Sequence, residues 1–166
     1  MKKIVSFFTV ISLAVAASAG TVSWGADVVK DGNPMVGGVA YLFVGNSTAG
    51  VADAIKDGTF DYSSAIATAT TDDEGGISKK GIGSYTSQSV SLYMVAFDTA
   101  TVTDNSNFVI SSPVTQTFGA SGNKTFNFTS SLSSATWAPV AVPEPTTVAL
   151  LALGLAALGL KRSKVA

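Results

Sequence analysis

From Thr21 the chain alternates, with Val22, Trp24, Ala26 and Val28 on one side and Thr21, Ser23, Gly25 and Asp27 on the other. Alternate side chains of a strand point to opposite faces, so this period of two predicts a half-buried β-strand. Asp31-Gly32-Asn33-Pro34 then supplies turn chemistry. Val39–Val44 (Val-Ala-Tyr-Leu-Phe-Val) is apolar on both faces, the pattern of a central strand. Ser47 or Thr48 is placed to cap a short helix through Val51, Ala54 and Ile55 that stops at Gly58. Further strands are predicted over 64–71, 77–82, 89–97, 107–111, 114–118 and 124–129. Between them lie Asp72-Asp73-Glu74-Gly75-Gly76, Asp104-Asn105-Ser106 and Ser121-Gly122-Asn123, all rich in turn formers.

Six to eight short strands separated by such turns predict a mainly β fold, an antiparallel β-sandwich with one short helix. In the strand at 89–97, Val90, Leu92, Met94 and Ala96 face one side, with Tyr93, Val95 and Phe97 opposite. That strand and Val39–Val44 are therefore expected to carry the core. No internal repeat is visible. Residues 132–141, with their Ser, Ala and Pro, read as a linker following a domain at 20–131.

The pattern changes at both ends. Met1-Lys2-Lys3 precedes an apolar run over 4–16, which leads to Ala17-Ser18-Ala19 and then Gly20. A basic start, an apolar run and a small-x-small site make up a secretory signal peptide, predicted at 1–19 with cleavage after Ala19. At the other end Val142-Pro143-Glu144-Pro145-Thr146-Thr147 leads into an apolar run at 148–160 and then Lys161-Arg162-Ser163-Lys164. The two prolines disfavour helix around Glu144, so the motif is expected to be extended and accessible. The apolar run, as a helix, spans about 20 Å against a hydrocarbon core of about 30 Å, which is short for a permanent span. The basic cluster of Lys161, Arg162 and Lys164 stops transfer and is expected on the cytoplasmic side.

An extended motif, a short apolar helix and a basic tip resemble the PEP-CTERM sorting signal of Gram-negative bacteria, over residues 142–166. Pro143, Glu144 and Pro145 match its motif, and Lys161 and Arg162 match its basic end. The resemblance implies recognition by an exosortase, a membrane-embedded transpeptidase-like enzyme acting near Pro-Glu-Pro. It also implies transient membrane association through the C-terminal helix and delivery to the envelope, outer surface or extracellular matrix. An association with exopolysaccharide follows by analogy.

Charge and composition narrow the remaining functions. Only 13% of the 166 residues are charged, against roughly 25% in an average soluble domain. Between Gly20 and Ala141 five Lys and no Arg face ten acidic residues, a formal −5. A nucleic-acid binder needs clustered Lys and Arg, so nucleic acid is not an expected partner. The chain contains no Cys and no His. That removes disulfides, thiolate chemistry, a Ser-His-Asp triad and the usual zinc sites.

Candidate chemistry is correspondingly sparse. Asp72, Asp73 and Glu74 form the one acidic cluster, which suits a hard cation such as Ca²⁺. They lack the spaced pattern of a calcium loop, however, and acidic residues beside Gly-Gly are ordinary hairpin chemistry. Asp98, Asp104, Asn105 and Asn107 raise the same idea more weakly. Trp24 falls in an alternating apolar row and is expected in the core, whereas Trp137 is the better candidate for an exposed aromatic. No catalytic residue and no cofactor is expected. The reading is an exported, non-enzymatic surface protein processed by signal peptidase and exosortase, the alternative being a carbohydrate- or Ca²⁺-binding β-sandwich module.

Overall fold

The computed structural model describes residues 20–120 and 122–140. The alternating row at the start becomes β1 (Gly20–Asp27), with Val22, Trp24 and Ala26 buried on one face. It is the middle strand of a three-stranded sheet, between β6 (Gly76–Tyr85), antiparallel, and β10 (Lys124–Asn127), parallel. Next come β2 (Val29–Lys30) and β3 (Asn33–Pro34), a hairpin of their own. The turn residues Asp31 and Gly32 have φ of 52° and 80°. Two successive residues in that region match the twist of a tight hairpin, which is why Asp-Gly occurs here.

The second sheet is larger. β4 (Val39–Val44) is flanked by β5 (Ala67–Thr70) and β7 (Ser89–Phe97). Beyond β7, β8 (Asn107–Ile110) pairs with one half of it and β9 (Val114–Thr117) with the other. A two-residue strand, β11 (Ala138–Pro139), closes the β8 edge. β4 and β7 are central, as their patterns predict, and their six-residue register runs from Val39↔Phe97 to Val44↔Leu92.

Alternation along β7 separates two cores. Val90, Leu92, Met94 and Ala96 face the small sheet and pack with Ala40, Leu42, Val22, Trp24, Phe126 and Phe128. Tyr93, Val95 and Phe97 turn outward with Val39, Phe43 and Phe108, where Val51 and Ile55 of α1 (Val51–Lys56) cover them. Phe60 and Tyr62 complete that cover, with Phe43–Phe60 and Tyr41–Tyr62 ring centroids 5.1 and 5.3 Å apart. Edge-on and tilted rings at such distances add to the burial term itself. The large sheet is thus buried on both faces, which explains why Val39–Val44 lacks a polar side. Trp24 is in the core, and its indole N–H finds no acceptor among the described residues.

A mainly β architecture of several sheets with only short helices is present, but the details depart from the expectation in physical ways. Eleven strands occur among the described residues rather than six to eight. The arrangement is not wholly antiparallel, because the chain reaches β10 from β9 of the other sheet, so that β10 lies parallel to β1. A direct hairpin would have forced the opposite sense. Helix α1 is capped by Gly50 at φ 78°, without a side-chain bond, rather than by Ser47 or Thr48. Ser47 Oγ accepts instead from the Ala49 amide at 3.2 Å, and Thr48 contributes its carbonyl to Val51.

A second helix, α2 (Thr129–Ser133), begins where the strand over 124–129 was expected to end. Asn127 Oδ1 accepts from the Thr129 amide at 2.9 Å, turning the chain out of the ladder. A 3-10 turn (Tyr62–Ser64), capped by Asp61 accepting from the Ser63 amide, likewise shortens the strand expected over 64–71. No described helix is long and apolar enough to cross a membrane. The signal and C-terminal helices expected at the two ends lie outside the described residues.

Candidate functional site: the end where the chain leaves the domain

The register fixes two ends to the molecule. Val39, Phe97, Asn107 and Pro139 share one end, together with the Asp27↔Gly76 pairing of the small sheet. Val44, Leu92 and the Gly20↔Tyr85 pairing mark the other. The chain leaves the domain at the first of these.

Residues 132–140, read from composition as linker, are bound to the domain there. Leu132 is 3% exposed in the inner core. Trp137, half-buried rather than free, packs on the same core and donates from Nε1 to the Val29 carbonyl at 2.9 Å. Ala138 and Pro139 pair with Phe108 and Asn107. The Val140 amide then donates to the Ser106 carbonyl at 2.8 Å. Two apolar side chains and a covered sheet edge outweigh the flexibility that Ser and Ala suggest, since burial scales with area and not with the composition of neighbours. A shallow groove of about 510 Å³ runs beside this segment, between Val29, Leu132, Ala135 and Trp137.

One charged cluster lies next to it. Lys30 Nζ pairs with Asp98 Oδ2 and lies 5.7 Å from the Trp137 ring centroid. Asp98 also accepts from the backbone and side-chain amides of Asn107, both at 2.7 Å. Partial burial is the largest single influence on this carboxyl and raises its pKa. The Lys30 and Asn107 donors together outweigh burial and hold it below its ordinary value of 3.8. This arrangement ties the end of β7 to the start of β8, the strand on which β11 rests. Lys30 and Asp98 are 68 residues apart, and no local pattern announces their meeting.

The acidic triplet serves the β5–β6 turn. Asp72 Oδ1 accepts from the Glu74 amide at 3.0 Å and the Gly76 amide at 2.7 Å, while its carbonyl accepts from Gly75. Gly75 has φ 77°, and a Cβ there would lie 2.8 Å from the Val28 carbonyl oxygen, so glycine is required. Asp73 and Glu74 are exposed. Among the described residues no three of His, Cys, Asp or Glu converge as metal ligands. Asp104 and Asn105 lie in the β7–β8 connection.

Gly20 opens β1, while Ala17 and Ala19 of the expected cleavage site lie outside the described residues. So do Pro143, Glu144 and Pro145, and so do Lys161, Arg162 and Lys164. Their identity comes from comparison. Residues 141–163 match the PEP-CTERM protein-sorting motif. No curated protein and no solved structure matches the chain. The PEP-CTERM motif implies an exported protein, processed by exosortase and delivered to the cell surface.

Matched motif and folded domain are contiguous. Val140, the last described residue, is still bonded to the domain, and the match begins at 141. Pro143 is three residues further, at most about 11 Å of extended chain. The apolar run begins eight residues beyond Val140, a reach of at most about 29 Å. The PEP-CTERM tail therefore has almost no spacer between it and the body it sorts.

Proposed function

We propose that this protein is a non-enzymatic component of the cell envelope or extracellular matrix, a small folded β-domain exported and then sorted through its PEP-CTERM tail. Signal peptidase acts at Ala19–Gly20, and exosortase acts near Pro143–Pro145, with Lys161, Arg162 and Lys164 holding the tip on the cytoplasmic side. The carrying observation is the motif match at 141–163, which starts directly after Val140, a residue still bonded to the domain. Supporting it, the chain has no His or Cys. Among the described residues the one partly buried carboxylate in an ion pair, Asp98, is engaged in holding a loop. The role is structural or an interaction role, with exopolysaccharide as the expected neighbour.

Intact mass of the envelope-associated protein, with and without the host's exosortase, tests the reading. A species starting at Gly20 and ending within 143–147 only when the enzyme is present is the expected result. A species that keeps residues 148–166 in both strains overturns it.

A further inference from the structure

The end of the sandwich opposite the sorting tail is open. There Val44 and Val90 of the large sheet and Tyr85 of the small sheet diverge around a cleft of about 410 Å³, joined by Asn46, Gln88 and Ser91. That volume lies within the roughly 300–1,000 Å³ of small-ligand sites. We propose that this cleft binds a neutral sugar unit of a polysaccharide.

Four features carry the assignment. The first is an apolar platform. Tyr85 is half-buried, held 5.3 Å from the Phe118 ring and lying over Gly83, whose missing Cβ would fall 3.6 Å from the tyrosine ring. Val44 beside it is 58% exposed, the most exposed of the large hydrophobics among the described residues. Aromatic rings are apolar bodies with polar tips, suited to the C–H face of a pyranose.

The second feature is available hydrogen bonding. The side-chain amides of Asn46 and Gln88 make no hydrogen bond among the described residues, so each presents donors and an acceptor to a vicinal diol. The third is that no charged side chain lines the cleft. It offers no Lys or Arg to pair with a uronic acid or a phosphate, whereas a neutral sugar needs none.

The fourth feature is position. The groove at the exit end is larger, but its indole N–H is taken by Val29, Asp31 lines it, and it adjoins the tail. The distal cleft lies at the end of the domain opposite Val140, the last described residue before the sorting motif. The sugar's cellular source rests on the surface-protein reading above, but the binding site does not.

The test uses the full chain in detergent micelles, titrated calorimetrically with maltohexaose, cellohexaose and mannohexaose, and with polygalacturonate as the anionic control. At least one neutral hexasaccharide is expected to bind. Asn46→Ala and Gln88→Ala should each weaken it about tenfold at unchanged melting temperature, and Tyr85→Ala should abolish it. Because Tyr85→Ala also removes packing on Phe118, the two exposed amide variants decide the matter. Failure of all three neutral probes, equal binding by wild type and both amide variants, or binding of polygalacturonate alone each overturns the proposal. So does a wild type that self-associates through the cleft, a dimer that Val44→Asp abolishes, with no sugar bound. Sorting is read separately from mass, so a correctly processed protein that binds no sugar removes this inference and leaves the sorting function standing.

Discussion

The two ends of the domain draw on the same Ser-, Thr- and Gly-rich sequence and use it differently. At the exit end seven of the ten acidic residues between Gly20 and Ala141 gather (Asp27, Asp31, Asp72, Asp73, Glu74, Asp98, Asp104). Three polar groups there are engaged: Asp98 by Lys30 and Asn107, Asp72 by its own turn, and the Trp137 N–H by Val29. At the distal end the lining groups are uncharged, and two amides have no described partner. Engaged polar groups hold structure, whereas free ones are available to a ligand. The difference suits a protein whose tail must be presented from a firm base while its far end meets something else.

The largest effect expected of the exit end comes from its one fully apolar anchor. Leu132 is 3% exposed and lies in the inner core with Trp24 and Phe128. Leu132→Ala leaves a cavity there and should cost about 2–5 kcal/mol, read by urea denaturation of the full chain. It should also make the segment from α2 to β11 exchange amide protons faster than β4 and β7. A loss below about 0.5 kcal/mol would mean the stretch is the linker its composition suggests.

The charged cluster is next in size. Asp98→Ala strands Lys30 and two Asn107 donors, and a cost of about 1–3 kcal/mol at neutral pH is expected. Its pH dependence has a definite sign. Because the folded carboxyl titrates below its ordinary value of 3.8, its contribution is complete above that value and is lost as pH falls through the lower, folded one. Wild type and variant should therefore differ by a constant amount above about pH 5 and converge below pH 4. Curves that stay parallel through that range would show that the carboxylate charge contributes nothing.

Trp137→Phe is a smaller perturbation. It keeps much of the packing but removes the bond to the Val29 carbonyl and the better face for the Lys30 ammonium. A loss of about 1 kcal/mol is expected, with processing by exosortase retained. Destabilisation as large as that of Leu132→Ala would shift the anchor of the exit segment from the core to the indole.

Much of the frame was legible in the residues themselves. Period-two alternation placed β1, the two-sided apolar runs placed β4 and the middle of β7, and Asp-Gly placed the β2–β3 turn. The sorting tail was readable from Pro143-Glu144-Pro145, its apolar run and its basic tip, because each part has its own chemistry within one short stretch. What escaped depended on distant contact. Leu132 and Trp137 are two anchors in a stretch whose Ser and Ala suggest flexibility, and only the cavity and carbonyl they meet show otherwise. Lys30 and Asp98 carry no mutual signal across 68 residues. The parallel β1–β10 pairing depends on where the chain crosses between sheets, which periodicity does not encode. Gly50 caps α1 through its backbone conformation, leaving Ser47 and Thr48 as plausible caps in sequence that are not used. Tyr85 and Gln88 border the distal cleft because β6 ends opposite the start of β1, and the β6–β7 turn then carries Gln88 across to the large sheet.

The smallest effect belongs to the distal end, and it sharpens the contrast most. Gln88 contributes its backbone carbonyl to the Phe118 amide at 2.9 Å, a bond that Gln88→Ala leaves in place. Its side chain is exposed and has no described protein partner, so truncation removes nothing the fold relies on. A change within about 0.5 kcal/mol is expected, the usual range for surface positions away from caps, cores and networks. For a domain of this size that is a shift of roughly 2–3 °C or less in melting temperature. A loss above 1 kcal/mol would mean that the amide bridges the two sheets at their open end. The distal cleft would then be a structural seam like the exit end, with no uncommitted polar groups to offer a ligand. A neutral result, set beside the cost of Leu132→Ala, places the domain's stability at the end that carries the sorting tail and leaves the far end free to bind.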